Sequence, residues 1–129
     1  TIVVLQTGGP VEMPWLDDVA AVMQCWYPGQ EAGNAIADVL FGFAEPGGRL
    51  PQTFPVKLAD NSAITGDRLV YPGKDGHVAY HEGVFVGYRH HDARGIKTLF
   101  PFGHGLSYTS FAWGRPKISA KRSAATVSR

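Results

Sequence analysis

The sequence has 129 residues, 44% of them hydrophobic, and a formal net charge of +1, which is enough chain for one domain with its own core. Five of the twelve basic side chains lie in residues 115–129, so the rest of the chain carries seven positive and eleven negative side chains, a net charge of −4. A nucleic-acid-binding domain would carry its basic residues on the folded body, so that class is disfavoured. A membrane protein is not predicted either, because no stretch approaches the roughly 18 apolar residues of a membrane span.

The first predicted element is a β-strand at residues 2–5, an apolar run rich in β-branched side chains, which is typical of a strand covered on both faces. A glycine-rich turn follows at residues 7–10. Loops at the carboxyl ends of strands bind ligands in open α/β sheets, although a simple turn is the more frequent outcome. Neither a dinucleotide fingerprint nor a phosphate loop is present, which nearly excludes a nucleotide- or flavin-binding protein. Because the chain opens directly on a strand, we expect it to be part of a longer protein.

Residues 20–26 predict a second strand, and residues 26–42 predict a strand end, a tight turn and one amphipathic helix. The apolar positions of this helix recur at the spacing of a single helical face: Ala32, Ala35, Ile36, Val39 and Leu40. Gly42 is placed to end the helix. Strand, helix and further strand in this order favour an α/β layer with a mostly parallel sheet.

Later elements are less regular. A short strand is predicted at residues 49–54, and Pro51 confines it to a sheet edge or a strand start. Residues 55–79 form a long polar stretch, and connections of this length are usually functional or packed on another domain. Residues 100–108 (FPFGHGLSY) predict an irregular, well-packed aromatic loop.

The single cysteine, Cys25, lies in an apolar run with no histidine or basic residue near it in sequence, so a structural thiol is favoured over a nucleophile. One cysteine permits no intrachain disulfide, and the cellular compartment stays open. The five histidines show no spacing typical of zinc ligands, so no metal site is predicted. His90 and His91 are adjacent, and in an extended strand their rings would face opposite sides.

Glu82 is the carboxylate most indicative of chemistry, because an apolar run follows it and burial raises the pKa of a carboxyl group into the range of an acid or base. A structural ion pair with Arg89 or another basic residue is the favoured alternative. His104, between two glycines, is placed either to hydrogen-bond a substrate or neighbouring domain or to fix its own loop. No complete catalytic set is present.

Six stretches, in order, resemble one family: residues 7–15, 26–31, 34–42, 48–55, 80–89 and 100–109. Together they are similar to the C-terminal α/β sandwich domain of glycoside hydrolase family 3, most closely that of its β-glucosidases. The resemblance covers residues 1–111. It implies an α/β fold, a partial (α/β)6-type sandwich truncated in its N-terminal half, which we assign to residues 1–110. Residues 111–129 would be a linker and the truncated, frayed start of a fibronectin type III-like domain.

The resemblance implies a parent enzyme that hydrolyses β-glucosides with retention, through two carboxyl groups about 5–5.5 Å apart and no cofactor. In this family the nucleophilic aspartate comes from an N-terminal (β/α)8 barrel, which this chain lacks. The acid/base glutamate comes from a loop upstream of the first strand here. No residue of this chain is therefore assigned as catalytic, and we expect the chain alone to be inactive.

Three residues within the family's motifs are the candidates for contacts with substrate or with the missing barrel: Glu82, Tyr88 and His104. The 55–79 stretch and the aromatic loop are the expected interdomain surfaces. The alternative is a non-catalytic carbohydrate-binding or interaction module that retains the motifs. In that case Trp15, Trp26 and Tyr88 would stack on sugar faces, although packing in the core is the more frequent role of such residues.

Overall fold

The computed structural model describes residues 1–119, in which two small sheets and two helices are formed. The strands are β1 (Ile2–Leu5), β2 (Ala21–Gln24), β3 (Phe54–Pro55) and β4 (Thr98–Phe100), and the helices are α1 (Ala32–Leu40) and α2 (Tyr88–Arg94). Short 3-10 turns occupy Leu16–Asp18 and Leu58–Asp60. No helix in this part of the chain is long and apolar enough to cross a membrane.

The first sheet confirms the strands that were predicted from local patterns. β1 and β2 pair in parallel, with Ile2 opposite Ala21 and Leu5 opposite Gln24. The prediction of a mostly parallel sheet is wrong for the described residues, because β3 and β4 form a separate antiparallel pair. One two-stranded sheet is therefore parallel and the other antiparallel.

Helix α1 forms as its apolar spacing predicted, and it ends at the predicted glycine. Gly42 has φ 78°, and the amides of Gly42 and Phe43 donate to the carbonyls of Val39 and Asp38, which is the pattern of a glycine-terminated helix. None of the helix residues is buried. On its apolar face Ala32, Ile36 and Val39 are half-buried while Ala35 and Leu40 are exposed, so the face is only partly covered among residues 1–119.

The core centres on Phe54, whose side chain is 1% exposed. Its ring lies 6.0 Å from that of Trp26 and 6.2 Å from that of Phe100, so it joins the end of the first sheet to the second. The strand predicted at residues 49–54 begins only at Phe54. Leu50 instead exchanges backbone hydrogen bonds with the aromatic loop, donating to the carbonyl of His104 and accepting from the amide of Gly103.

Helix α2 corrects the interpretation of the two adjacent histidines. His90 and His91 lie on a helix, and both are buried, with ring centroids 5.5 Å apart. The helix follows Gly87 and ends at Gly95, which is left-handed with φ 61° and ψ 30°. Its seven residues include no β-branched side chain, so nothing in them opposes a helix between two glycines that can turn the chain.

Residues 111–119, which were predicted to begin a fibronectin type III-like domain, contain neither helix nor strand. The remainder of that predicted segment, residues 120–129, lies outside the described residues. The domain assignment therefore stays a prediction.

Candidate functional site

Glu82 lines a cleft of about 410 Å³ between the Leu58–Asp60 turn, the turn at residues 81–84 and helix α2. The polar side chains that line the cleft are Asn61, Ser62, Thr65, His81, Glu82, His90 and Arg94. His90 and Arg94 are four residues apart on α2, so both face the same side of the helix. The cleft thus exists because α2 forms.

The Glu82 carboxylate lacks a partner among the described residues. Its Oε2 atom is buried and accepts no hydrogen bond. The predicted ion pair with Arg89 is wrong, because the Arg89 guanidinium lies 5.7 Å from the ring centroid of Tyr88, and no pair with Glu82 forms within residues 1–119. A buried polar atom without a partner is uncommon in proteins and marks a place where a ligand, water or further segment supplies the donor.

The histidine pair gives the cleft one wall. His90 is 9% exposed and His91 is 6% exposed. Burial lowers the pKa of His90, and the nearby Arg94 and His91 lower it further, while the backbone and charge of Asp60 act in the opposite direction. The lowered pKa favours the neutral imidazole, which can donate from one nitrogen and accept at the other.

Tyr88 and His104 do not line this cleft but pack on the aromatic loop. The Tyr88 ring lies 5.4 Å from Phe102, and the His104 ring stacks 4.9 Å from Phe100. The structure therefore separates the three candidate residues into Glu82 in the cleft and two residues at the loop. The His104 ring and backbone both fix this loop, through Phe100 and the hydrogen bond from Leu50.

The carboxyl ends of β1 and β2 meet beside the predicted glycine-rich turn. Gln24 Nε2 donates to the backbone carbonyl and hydroxyl of Thr7, at 3.3 and 3.1 Å, while Gln24 Oε1 is buried without a partner among the described residues. Trp26 has φ 52°, a strained value for a bulky residue. A Cβ on Gly8 would lie 2.2 Å from the Tyr27 hydroxyl, so this exposed side chain would have to move. Cys25 is half-buried, and burial raises the pKa of its thiol, as a structural cysteine requires.

Sequence reasoning missed a carboxylate that holds two distant segments together. Glu45 accepts hydrogen bonds from the amides of Tyr108 and Thr109, at 2.9 and 3.3 Å, and from the Thr109 hydroxyl at 3.1 Å. Arg49 donates to the Ser107 hydroxyl at 2.6 Å, and the Tyr108 hydroxyl donates to the carbonyl of Val39 at 2.7 Å. No local pattern reveals these contacts, because the partners lie about sixty positions apart.

The cleft carries a single carboxylate among the described residues. Glu82 is the one carboxylate that lines it among residues 1–119, whereas a retaining glycosidase requires two carboxyl groups about 5–5.5 Å apart. The same residues contain no cluster of three histidine, cysteine or acidic side chains that would hold a metal ion.

Comparison with known proteins decides the family. A family model described as the glycosyl hydrolase family 3 C-terminal domain matches residues 1–88. The chain belongs to this family. A β-glucosidase of Rhizobium radiobacter is 71% identical over 118 residues, which is 92% of this chain and 14% of that protein. Thermostable β-glucosidase B of Acetivibrio thermocellus is 52% identical over 93% of the chain and 15% of its own length.

Solved structures agree with this family 3 assignment. The β-glucosidase DesR of Streptomyces venezuelae, in complex with D-glucose, matches 87% of this chain with a TM-score of 0.82 and 51% identity. A β-glucosidase of Kluyveromyces marxianus in complex with glucose matches 85% of it with a TM-score of 0.79 and 49% identity. The chain covers 14% and 13% of those two chains. The predicted family resemblance and its fold are thus confirmed at the level of the C-terminal domain.

Proposed function

We propose that this family 3 chain is part of a retaining β-glucosidase, which hydrolyses terminal β-linked glucose from glucosides or oligosaccharides. The observation that carries the proposal is the 71% identity to a β-glucosidase across 92% of the chain. At this level of identity, the residues that pack a domain against the rest of an enzyme are expected to be retained. This supports the interpretation of the chain as a domain of a β-glucosidase.

Both catalytic carboxyl groups lie outside these 129 residues in this proposal, the nucleophile on a preceding (β/α)8 barrel. The single carboxylate of the Glu82 cleft supports this, because retention needs a second one within about 5–5.5 Å. The mechanism uses carboxyl groups and water and requires no cofactor. The domain's part is to support the barrel and to complete the wall of the sugar pocket.

The contacts with the barrel are assigned to Glu82, Tyr88 and His104, with the 55–79 segment and the aromatic loop around them. Tyr88 is 45% exposed, although its ring packs on that of Phe102. Val84, Phe85 and Val86, which precede it in the sequence, are exposed as well. Exposed apolar side chains of this kind support an interaction surface.

The test is a chimera in which this chain replaces the matching stretch of the Rhizobium radiobacter enzyme. We expect the chimera to hydrolyse an aryl β-glucoside within about tenfold of that enzyme's kcat/KM, which is about 1.4 kcal/mol of transition-state stabilisation, because the two stretches are 71% identical. The 129-residue chain alone should show no turnover. A folded but inactive chimera, or turnover by the chain alone, would contradict the proposal.

The alternative of a non-catalytic carbohydrate module receives less support from the geometry. Its proposed stacking residues are partly engaged, since the Trp26 ring packs on Phe54 and the Tyr88 ring on Phe102. A sugar-stacking platform needs an open ring face. The chimera separates the two functions, because a module that has lost its place in catalysis would not restore activity.

A further inference from the structure

The segment that follows the aromatic loop is attached to the domain through side chains. Residues 105–119 make no backbone-to-backbone hydrogen bond within the described part of the chain, and the bond from the Leu50 amide to the His104 carbonyl comes just before them. Residues 105–109, which we call the strap, are held by hydrogen bonds in which a side chain takes part. Residues 110–119 form no hydrogen bond of either kind within residues 1–119.

Glu45 supplies most of this attachment. Its Oε1 atom accepts from the amides of Tyr108 and Thr109, at 2.9 and 3.3 Å, and its Oε2 atom accepts from the Thr109 hydroxyl at 3.1 Å. Arg49 donates to the Ser107 hydroxyl at 2.6 Å. Hydrogen bonds to an ionised carboxylate are stronger than those between neutral groups, so Glu45 is the main anchor of the strap.

Apolar burial contributes little to holding the strap. Leu106 and Tyr108 are exposed, and so is Thr109. The Tyr108 hydroxyl adds one more polar contact, since it donates to the carbonyl of Val39 at 2.7 Å. The strap is therefore closed by exposed polar contacts, each of which can break without disturbing the core around Phe54.

Gly105 allows the strap to lie directly against the loop that carries Glu45. A Cβ on Gly105 would lie 2.6 Å from the carbonyl oxygen of Gly48 and 2.7 Å from Arg49 Cδ. Gly105 does not have a left-handed φ, so the close approach alone favours glycine here. Because a backbone oxygen cannot rotate away as a side chain can, a larger residue would push the strap and the loop apart.

We propose that the strap opens and closes as a separate unit, anchored by Glu45, while both sheets and both helices stay folded. Segments held by exposed hydrogen bonds and little apolar burial open at a lower free energy than the core. Opening releases residues 110–119, which carry the exposed side chains of Phe111 and Trp113, from a fixed direction relative to the domain. The strap thus controls how that segment is presented, and this proposal does not depend on the β-glucosidase assignment.

The experiment measures amide hydrogen exchange in the 129-residue chain, resolved to single amides by mass spectrometry with fragmentation. We expect lower protection factors at Tyr108 and Thr109 than at Cys25, whose amide donates to the Leu5 carbonyl at the end of the first sheet. Low concentrations of urea should lower the protection of Cys25 but not that of the strap, because opening the strap exposes little surface. Equal protection and equal urea dependence at these amides would overturn the proposal.

Two variants open the strap from opposite sides. Glu45→Ala should lower the protection of Tyr108 and Thr109 at least tenfold, because it removes the acceptor carboxylate. Gly105→Ala should do the same with the carboxylate in place. The matched controls are Glu31→Ala, a carboxylate distant in sequence from the strap, and Gly47→Ala, where a Cβ meets open space. Both controls should leave the strap amides unchanged, and strap protection that is unaffected by Glu45→Ala and Gly105→Ala would refute the assigned contacts.

A third variant separates opening of the strap from unfolding of the domain. Gly95→Ala alters the end of α2, where a left-handed φ favours glycine. It should lower the protection of Cys25 and leave Tyr108 and Thr109 unchanged, because α2 stays folded when the strap opens. A parallel loss of protection at all three amides would show that the strap opens only when the whole domain unfolds.

Discussion

At the scale of single residues, Glu45 shows how an exposed carboxylate can organise a domain. Desolvation raises the pKa of Glu45, but hydrogen bonds from Thr109, Tyr108 and Ser107 lower it by more, so its folded pKa lies below the ordinary value. A lowered carboxyl pKa contributes stability above the unfolded pKa, about 4.3, and that stability is lost as the pH falls through the folded value.

The prediction concerns Glu45→Gln. We expect a lower melting temperature than the parent chain at neutral pH, because the amide cannot accept all of the hydrogen bonds that the carboxylate does. The difference should vanish in acid, where Glu45 is protonated. Glu31→Gln is the control, since Glu31 accepts only from Asn34 Nδ2 among the described side-chain contacts. A difference that persists unchanged below the folded pKa would rule out the carboxylate as its cause.

His90, unlike Glu45, is neutral in the form that its folded environment favours. Its folded pKa is lowered by burial above all, so the unfolded chain takes up a proton more readily. The stability due to neutral His90 is complete above the unfolded pKa, about 6.5, and decreases as the pH falls below it towards the folded pKa.

We therefore expect the free energy of unfolding to fall as the pH is lowered below about 6.5, and to fall less in His90→Gln. Urea denaturation at each pH measures this difference. His77→Gln, at an exposed histidine, should follow the parent curve. Equal pH dependence in all three proteins would show that His90 does not control acid stability.

At the scale of elements, sequence patterns predicted the strands and the helix that depend on residues close together in the chain. β1, β2 and α1 follow from apolar runs and the i, i+3, i+4 spacing, and Gly42 ends α1 as predicted. β3 is different, because it exists through pairing with β4, more than forty residues later. The backbone of Leu50 is likewise used by the aromatic loop instead of a strand. Such long-range competition leaves no periodic signal in the sequence.

The sequence contains a signal for helix α2, but the aromatic and β-branched residues just before the helix favoured a strand there instead. Gly87 and Gly95 bracket a segment without β-branched side chains. This also limits what could be predicted of the site. Glu82 was identified from its setting, but His90 and Arg94 join it only when the chain between the glycines is helical.

Gly95→Ala tests this helix end. Gly95 has φ 61° and no neighbouring atom that a methyl group would contact, so the cost is conformational. An alanine in the left-handed region should lower the free energy of unfolding by roughly 1–2 kcal/mol. Gly47→Ala, where φ is ordinary and the space is also open, should be neutral or stabilising by about 0.4–1 kcal/mol. Chemical denaturation measures both, and equal effects would argue against a strained helix end.

At the scale of the whole molecule, the balance of buried and exposed apolar side chains indicates that part of the domain's surface packs against another protein segment. Met13, Phe54 and Val70 are the buried hydrophobic residues of the described chain, whereas 21 large hydrophobic side chains are exposed. Phe41, Phe43 and Trp113 are 76%, 81% and 92% exposed. Apolar surface of this extent is uncommon on a soluble monomer and is characteristic of an interface.

The last prediction follows from that surface. The 129-residue chain should bind the dye ANS and elute as self-associated species at micromolar concentration, because uncovered apolar surface drives association. The chimera with the Rhizobium radiobacter enzyme should bind less dye per molecule although it is a longer protein, since the surrounding enzyme covers these side chains. Fluorescence titration and light scattering after size exclusion measure the two effects. A monomeric chain without ANS binding would show that the exposed residues are covered within the chain itself, and it would remove the physical argument for an interdomain face.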